Sequence, residues 1–136
     1  ADALALAGEN LALHGLQGRI GLRQGDLFAA VGRRRYDLIL CNPPYVETDA
    51  ELAPQVRAFE PASALFAGPD GLDDYKLLIP QISALLASGG VAIFEIGLGQ
   101  DKAITKLATD QYFTVTPHRD LAGIIRALSL SKPGSG

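Results

Sequence analysis

The sequence contains no methionine and a single cysteine, Cys41. One thiol excludes an intramolecular disulfide and any cysteine-based metal site, and it fits a reducing compartment. The only histidines, His14 and His118, lie far apart without metal-ligand spacing, so they read as ordinary surface or loop residues and no metal site is expected. A basic excess is also missing: 12 Lys and Arg against 15 Asp and Glu give a formal net charge of -3. A surface that neutralises phosphates needs surplus cations, so direct nucleic-acid binding is not expected, and Arg33, Arg34 and Arg35 read as a solvated turn after Gly32. No apolar run approaches the roughly 18 residues of a membrane helix, and the start does not read as a signal peptide. The expected location is the cytoplasm, with no membrane association. Without a methionine, the chain is not expected to begin at its own start codon.

What is present suits one globular unit. The 136 residues are 48% hydrophobic and 20% charged, ordinary values for a packed domain. Leu4, Ala7 and Leu11 recur at helical spacing between Ala3 and about His14, with Gly15 as the stop. Arg19 to Gln24 alternates, with Ile20 and Leu22 on one side, which predicts a short strand closed by Gly25. Tyr36 to Cys41 is nearly continuous apolar after Asp37, the pattern of a strand covered on both faces. Val46 to Pro69 has no strong period and reads as a long connection with a short helix around Asp49 to Arg57; connections this long tend to be functional.

Leu72 to Ala87 places Tyr75, Leu78, Ile79, Ile82, Leu85 and Leu86 on one helical face, with Pro80 predicted to bend it and Gly89 and Gly90 to end it. A second buried strand follows over Val91 to Ile96, then a helix over Gln100 to Thr109. Gln111 to Thr116 and Gly123 to Leu130 form a predicted antiparallel pair joined through Pro117 to Ala122. Alternating helices and apolar strands imply an α/β fold, with helices on both faces of a mostly parallel sheet and an antiparallel strand at one end. Residues 1–130 are assigned to this domain and 131–136 to a flexible tail.

The chemistry concentrates in LILCNPPY, Leu38 to Tyr45. In open α/β sheets ligands sit at the carboxyl ends of strands, where Asn42 falls. Each proline fixes its own backbone and biases the preceding residue to extended geometry, so Asn42-Pro43-Pro44 is a stiff corner that aims the amide. Proline removes only the N–H, so the carbonyls still accept. A planar NH2 group can be gripped here: the Asn42 side-chain oxygen accepts one hydrogen, the Pro43 carbonyl accepts the other, and Tyr45 packs against the plane. Amide and arylamine nitrogens are weak nucleophiles, so catalysis on them rests on alignment and on stabilising developing charge. The competing reading is a rigid turn that merely ends a strand.

Across DALALAGENLALHGL, GDLF, YDLILCNPPYV, FEPASALFAGPDGLDDYK, FEIGLGQ and DLAGIIR, nearly the whole chain in order, the sequence resembles the NPPY-motif class I methyltransferases that use S-adenosyl-L-methionine. Within them it is most similar to the N5-glutamine methyltransferases acting on peptide chain release factors. NPPY alone fits adenine-N6 methyltransferases almost as well; the FEPASALFAGPDGLDDY stretch distinguishes the glutamine branch. The resemblance implies a Rossmann-like class I methyltransferase sheet, a substrate glutamine held by Asn42, Pro43, Pro44 and Tyr45, and a cofactor contacted by Asn42, by Asp26 on the adenine amino group and by Leu27 against the ring. It also implies that Glu60 braces the loop near the site. The partner would be a release factor; a ribosomal protein carrying a target glutamine is the enzymatic alternative, adenine-N6 methylation a weaker one given the isoelectric point of about 5.2, and a noncatalytic binding module the alternative from another class.

The departures concern the front of the chain. Family members carry upstream a helical substrate-binding domain, a strand with a Gly-rich loop for the methionine part of the cofactor, and a strand ending in a ribose-binding acid, whereas the match here starts just after that acid. Asp2 falls in the first turn of the next helix, where it suits the dipole, and is not assigned to ribose. Gly97-Leu98-Gly99 mimics a dinucleotide loop, but Lys102 stands where G-x-G-x-x-G needs its third glycine, so it is set aside. By analogy, two absent strands would lie between Arg19–Gln24 and Tyr36–Cys41, so the fold is expected to lack its first strands and to expose sheet edges. This 136-residue polypeptide alone is therefore expected to be inactive. Isothermal titration of S-adenosyl-L-methionine onto it is expected to show no tight binding; a tight isotherm would refute this.

Overall fold

The computed structural model describes residues 2–25, 27–52, 58 and 61–134; the side chains of Asp2, Leu27 and Ser63 also lie outside the described set. The chain divides into two compact units, 1–34 and 35–136. In the first, helix α1 (Asp2–Leu13) half-buries Leu4, Ala7 and Leu11, the predicted stripe. Gly15 follows at a φ of 65°, a left-handed stop that a Cβ would disfavour. A one-turn 3-10 helix spans Leu27–Val31. The strand predicted over Arg19 to Gln24 does not form, and Ile20 and Leu22 are exposed. Alternation supplies the side-chain pattern of a strand but not the neighbour whose backbone completes it, and no described strand pairs with this segment.

The second unit is built on a four-stranded sheet of β1 (Tyr36–Cys41), β2 (Leu86–Glu95), β3 (Thr114–Arg119) and β4 (Ile125–Ser131), in the order β1-β2-β4-β3. β1 and β2 are parallel, and β4 runs antiparallel to both β2 and β3. Three strands thus share one direction and the reversed strand sits next to the edge. Helices α2 (Asp73–Leu85) and α3 (Asp101–Asp110) pack on one face of it. Cys41 pairs with Phe94 and Phe94 with Leu128, so these side chains share the helix-covered face. The opposite face carries Leu38 and Leu40, 54% and 70% exposed. The expectation that β1 is covered on both faces is therefore not met among the described residues, because no described element of this unit lies over that side.

α2 buries Tyr75, Leu78, Ile79, Ile82 and Leu85, the predicted stripe, and Asp73 and Asp74 in its first turn complement the helix dipole. It runs through exposed Pro80 but stops at Leu85, earlier than the glycine pair suggests. Leu86 turns extended while its N–H still bonds to Ile82 O, so helix passes directly into strand, and pairing jumps from Tyr36 with Leu86 to Leu38 with Val91. Gly89 and Gly90 lie inside this irregularity rather than at the helix end. β3 likewise continues through Pro117. Proline is tolerated there because β3 is an edge strand, where a missing N–H can face away from the sheet. The hairpin turn is set by Asp120, whose carboxylate accepts from the N–H groups of Ala122 and Ile124, both at 2.9 Å. The short helix predicted over Asp49 to Arg57 falls largely outside the described residues.

Fully buried Tyr75 joins α2 to the sheet: its ring meets Phe94 at 6.1 Å between centroids and its hydroxyl donates to the Glu95 carbonyl at 2.6 Å. Tyr75→Phe is expected to cost about 0.5–1.5 kcal/mol through the lost hydrogen bond, and Tyr75→Ala roughly 3–5 kcal/mol through the cavity. Urea denaturation midpoints measure both.

Candidate active site

β1 ends at Cys41, whose side chain turns to the helix-covered face, so strand alternation points Asn42 to the open one. Asn42 is exposed while Pro43 is buried, which anchors the corner and leaves the amide outward. Asn42 lines a broad cleft of about 510 Å³ with Leu40, Cys41, Ile93, Glu95, Arg126 and Ala127. A smaller hollow of about 180 Å³ is formed by Asn42, Pro43, Pro44 and Tyr45 with Val46, Ala64 and Leu65. Asn42 is common to both.

Tyr45 is half-buried, and its hydroxyl donates to Glu95 Oε1 at 3.4 Å, a long contact. Burial, followed by the Glu95 charge, raises the Tyr45 hydroxyl above its ordinary pKa, so it stays protonated. The chain after Tyr45 is pinned to the FEPASALFAGPDGL stretch: Val46 N–H donates to Leu65 O and Ala67 N–H to Val46 O, both at 2.9 Å. The connection between β1 and α2 thereby folds back on itself and fixes the exit of the corner.

One side chain closes the arrangement. Gln100, at the N-cap of α3, donates through Nε2 to Tyr45 O at 3.0 Å and to Gly71 O at 3.3 Å, while its Oε1 accepts from Gly97 N–H at 2.9 Å. The structure thus brings Asn42, Pro43, Pro44 and Tyr45 to one corner. Asp26 and Glu60 lie outside the described residues; Leu27 opens the 3-10 helix, its side chain likewise undescribed. Sequence reasoning assigned no role to Gln100 or Glu95, and it placed Tyr75 only on the apolar face of its helix. The only hint for Gln100 was its place one residue before a helix in EIGLGQ, since its partners Tyr45 and Gly71 stand 55 and 29 residues away.

Residues 1–67 match the family model described as the methyltransferase small domain. The release factor glutamine methyltransferase of Geobacter sulfurreducens is 45% identical over 104 residues, 75% of this chain and 36% of that protein. Over about three quarters of its length the chain is thus similar to release factor glutamine methyltransferases. The ribosomal protein uL3 glutamine methyltransferase of Bordetella pertussis is 44% identical over 101 residues, 74% of this chain and 34% of that protein. Among solved structures, the ribosomal protein L11 methylase of Lactobacillus delbrueckii subsp. bulgaricus superimposes with a TM-score of 0.63 at 25% identity, over 96% of this chain and 53% of that one. The fold is therefore the α/β class I methyltransferase fold expected from the sequence. The chain spans about a third to a half of the length of the curated relatives it matches.

Cys41, directly before the motif, is half-buried, and burial followed by the nearby Asp74 charge pushes its thiol up to about 11 from an ordinary 9.0. Below both values the thiolate fraction falls tenfold per unit, so at pH 8 alkylation by iodoacetamide is expected to run roughly 100-fold slower than for a free thiol. Mass spectrometry of the time course reads this, and a rate equal to that of a small-molecule thiol would contradict it.

Proposed function

We propose that the protein carrying this chain transfers a methyl group from S-adenosyl-L-methionine to the side-chain amide nitrogen of a glutamine in a peptide chain release factor. The observation that carries the reading is the exposed Asn42 beside buried Pro43 at the carboxyl end of β1, opening on a cleft. The similarity to release factor glutamine methyltransferases supports the substrate. The cleft offers a cofactor the apolar surface of Leu40, Ile93 and Ala127 and the polar groups of Asn42, Glu95 and Arg126, with the Glu95 carboxylate and the Arg126 guanidinium offsetting each other's charge. Asn42 would hold it from this unit; the roles of Asp26 and Leu27 rest on the family resemblance alone. When bound, the cofactor would supply an activated methyl carbon and keep the electron pair of the broken sulfur–methyl bond, leaving as a neutral thioether.

The residues of this chain act on the amide. Asn42 Oδ1 and Pro43 O accept its two N–H hydrogens, which orients the nitrogen and keeps electron density on it, and Tyr45 packs against its plane. Formation of the N–C bond leaves the nitrogen positive, so both acceptors strengthen their hold as charge develops. One proton then leaves, passing to water along either hydrogen bond. A neutral, protonated Tyr45 presents no competing charge to the amide.

The working location in this reading is the cytoplasm, where release factors act; no helix among the described residues is long and apolar enough to cross a membrane. The methyltransferase domain assignment belongs to the same proposal, but the tail expected from residue 131 starts later, because Ser131 is the last residue of β4 and Lys132 Nζ donates to Leu86 O at 3.3 Å. A second reading, a ribosomal protein as substrate, is favoured by the nearly equal similarity to a uL3 glutamine methyltransferase. Incubating the longest natural form of the protein with radiolabelled methyl donor and each substrate separates the two. Asn42→Ala is expected to lower kcat by about 10²-fold or more with little change in melting temperature, because the side chain is exposed. Labelling of neither protein, or a fully active N42A, would sink the reading.

A further inference from the structure

Three separated segments of the second unit converge on the side chain of Gln100. Its partners are the carbonyl of Tyr45 in NPPYV, the carbonyl of Gly71 in FAGPDGL and the N–H of Gly97 in EIGLGQ. The amide cannot be turned around: with the groups exchanged, its oxygen would face two carbonyls and its NH2 would face an N–H donor. The surrounding backbone is emptied to admit it. A Cβ on Gly71 would overlap the Tyr45 carbonyl and stand 2.7 Å from Gln100 Nε2, and one on Gly97 would stand 2.8 Å from Oε1 and 3.1 Å from Tyr45 Cδ2. The two contacts with the Gln100 amide are shorter than packed atoms show, so a side chain at either glycine would displace the amide; Gly71, at a φ of 66° and against the Tyr45 backbone, is required there on its own account as well.

The clasp reaches the corner through a short lever. Only Pro44 separates Pro43 from Tyr45, and its ring fixes φ. Holding the Tyr45 carbonyl therefore restricts the orientation of the Pro43 carbonyl and the start of the Tyr45 ring, the two parts of the grip not carried by Asn42. We infer that Gln100 is a positioning residue for amide methylation, setting the Pro43 acceptor and the Tyr45 ring through its donation to the Tyr45 carbonyl. This rests on the glutamine methyltransferase reading and adds to it a residue that touches neither substrate nor cofactor.

The test compares Gln100→Ala and Gln100→Glu with the native protein in its longest natural form, by steady-state methylation of the release factor across pH and well below each melting temperature. Q100A is expected to lose about 10²-fold in kcat with the KM for S-adenosyl-L-methionine unchanged. In Q100E the new carboxyl faces two carbonyls, which disfavours its ionised form and raises its pKa. Above that pKa it cannot donate and the variant is as slow as Q100A; below it the protonated group donates to Tyr45 O, so kcat relative to native rises as pH falls. A side chain that only fills space gives a relative rate for Q100E that is flat with pH, and that outcome, or native kcat in both variants, overturns the inference alone. An inactive native protein overturns the methyltransferase reading and the inference with it. If Q100A does not fold, the pH dependence of Q100E decides; if neither folds at any pH, the role is structural and the inference fails.

Discussion

Beyond the last paired residues of β1 and β2 the backbone still carries carbonyls and N–H groups, but the sheet no longer satisfies them. The candidate site lies in that zone, so the loops need another source of order. Gln100 provides it with a single neutral group that offers two donors and an acceptor to three loop segments. Each bond contributes a modest 0.5–1.5 kcal/mol or so, whereas a buried polar group left unpaired costs about 1–3 kcal/mol. The asymmetry makes the contact specify one loop arrangement more than it adds stability.

The sheet does a different part of the work, by alternation. One face of β1 delivers Cys41 to the interior, where burial keeps its thiol protonated, and the next residue emerges on the open face as Asn42. A slip of one residue in the register of β1 against β2 would exchange them, putting the amide into the core. Tyr75 guards the partner strand at the same level: its hydroxyl meets the Glu95 carbonyl while the Glu95 side chain meets Tyr45. Core packing and the candidate site are thus joined through one residue at the end of β2.

Features governed by local pattern were readable in the sequence. The α2 stripe from Tyr75 to Leu85, the Gly15 stop and the break of β1 before Asn42 all follow from side-chain periodicity or backbone sterics and appear in the structure. Features that depend on a distant neighbour were not. Arg19 to Gln24 alternates like a strand yet lacks a described partner, and Pro117 looked like a break although an edge strand tolerates it. The end of α2 was misplaced because glycines that usually stop a helix here belong to an irregular parallel pairing. Gln100 escaped for the same reason, since nothing within its own helix reveals carbonyls contributed by Tyr45 and Gly71.

The two consecutive prolines can be understood from what they withhold. Asparagine side chains habitually accept a hydrogen bond from the backbone N–H two residues ahead, closing an Asx turn. For Asn42 that position is Pro44, which has no N–H to give, so the commonest local partner for the amide oxygen is absent by covalent structure. Pro43 removes the nearer donor as well, while both carbonyls remain. The corner is therefore rich in acceptors and poor in donors, which is the complement of an incoming NH2 group. A residue other than proline at 44 would restore a competitor for Asn42 even if it kept the same backbone path, so stiffness alone does not account for the pair. The covalent loss of donors and the external clasp by Gln100 act together: one keeps the acceptors unoccupied, the other keeps them aimed.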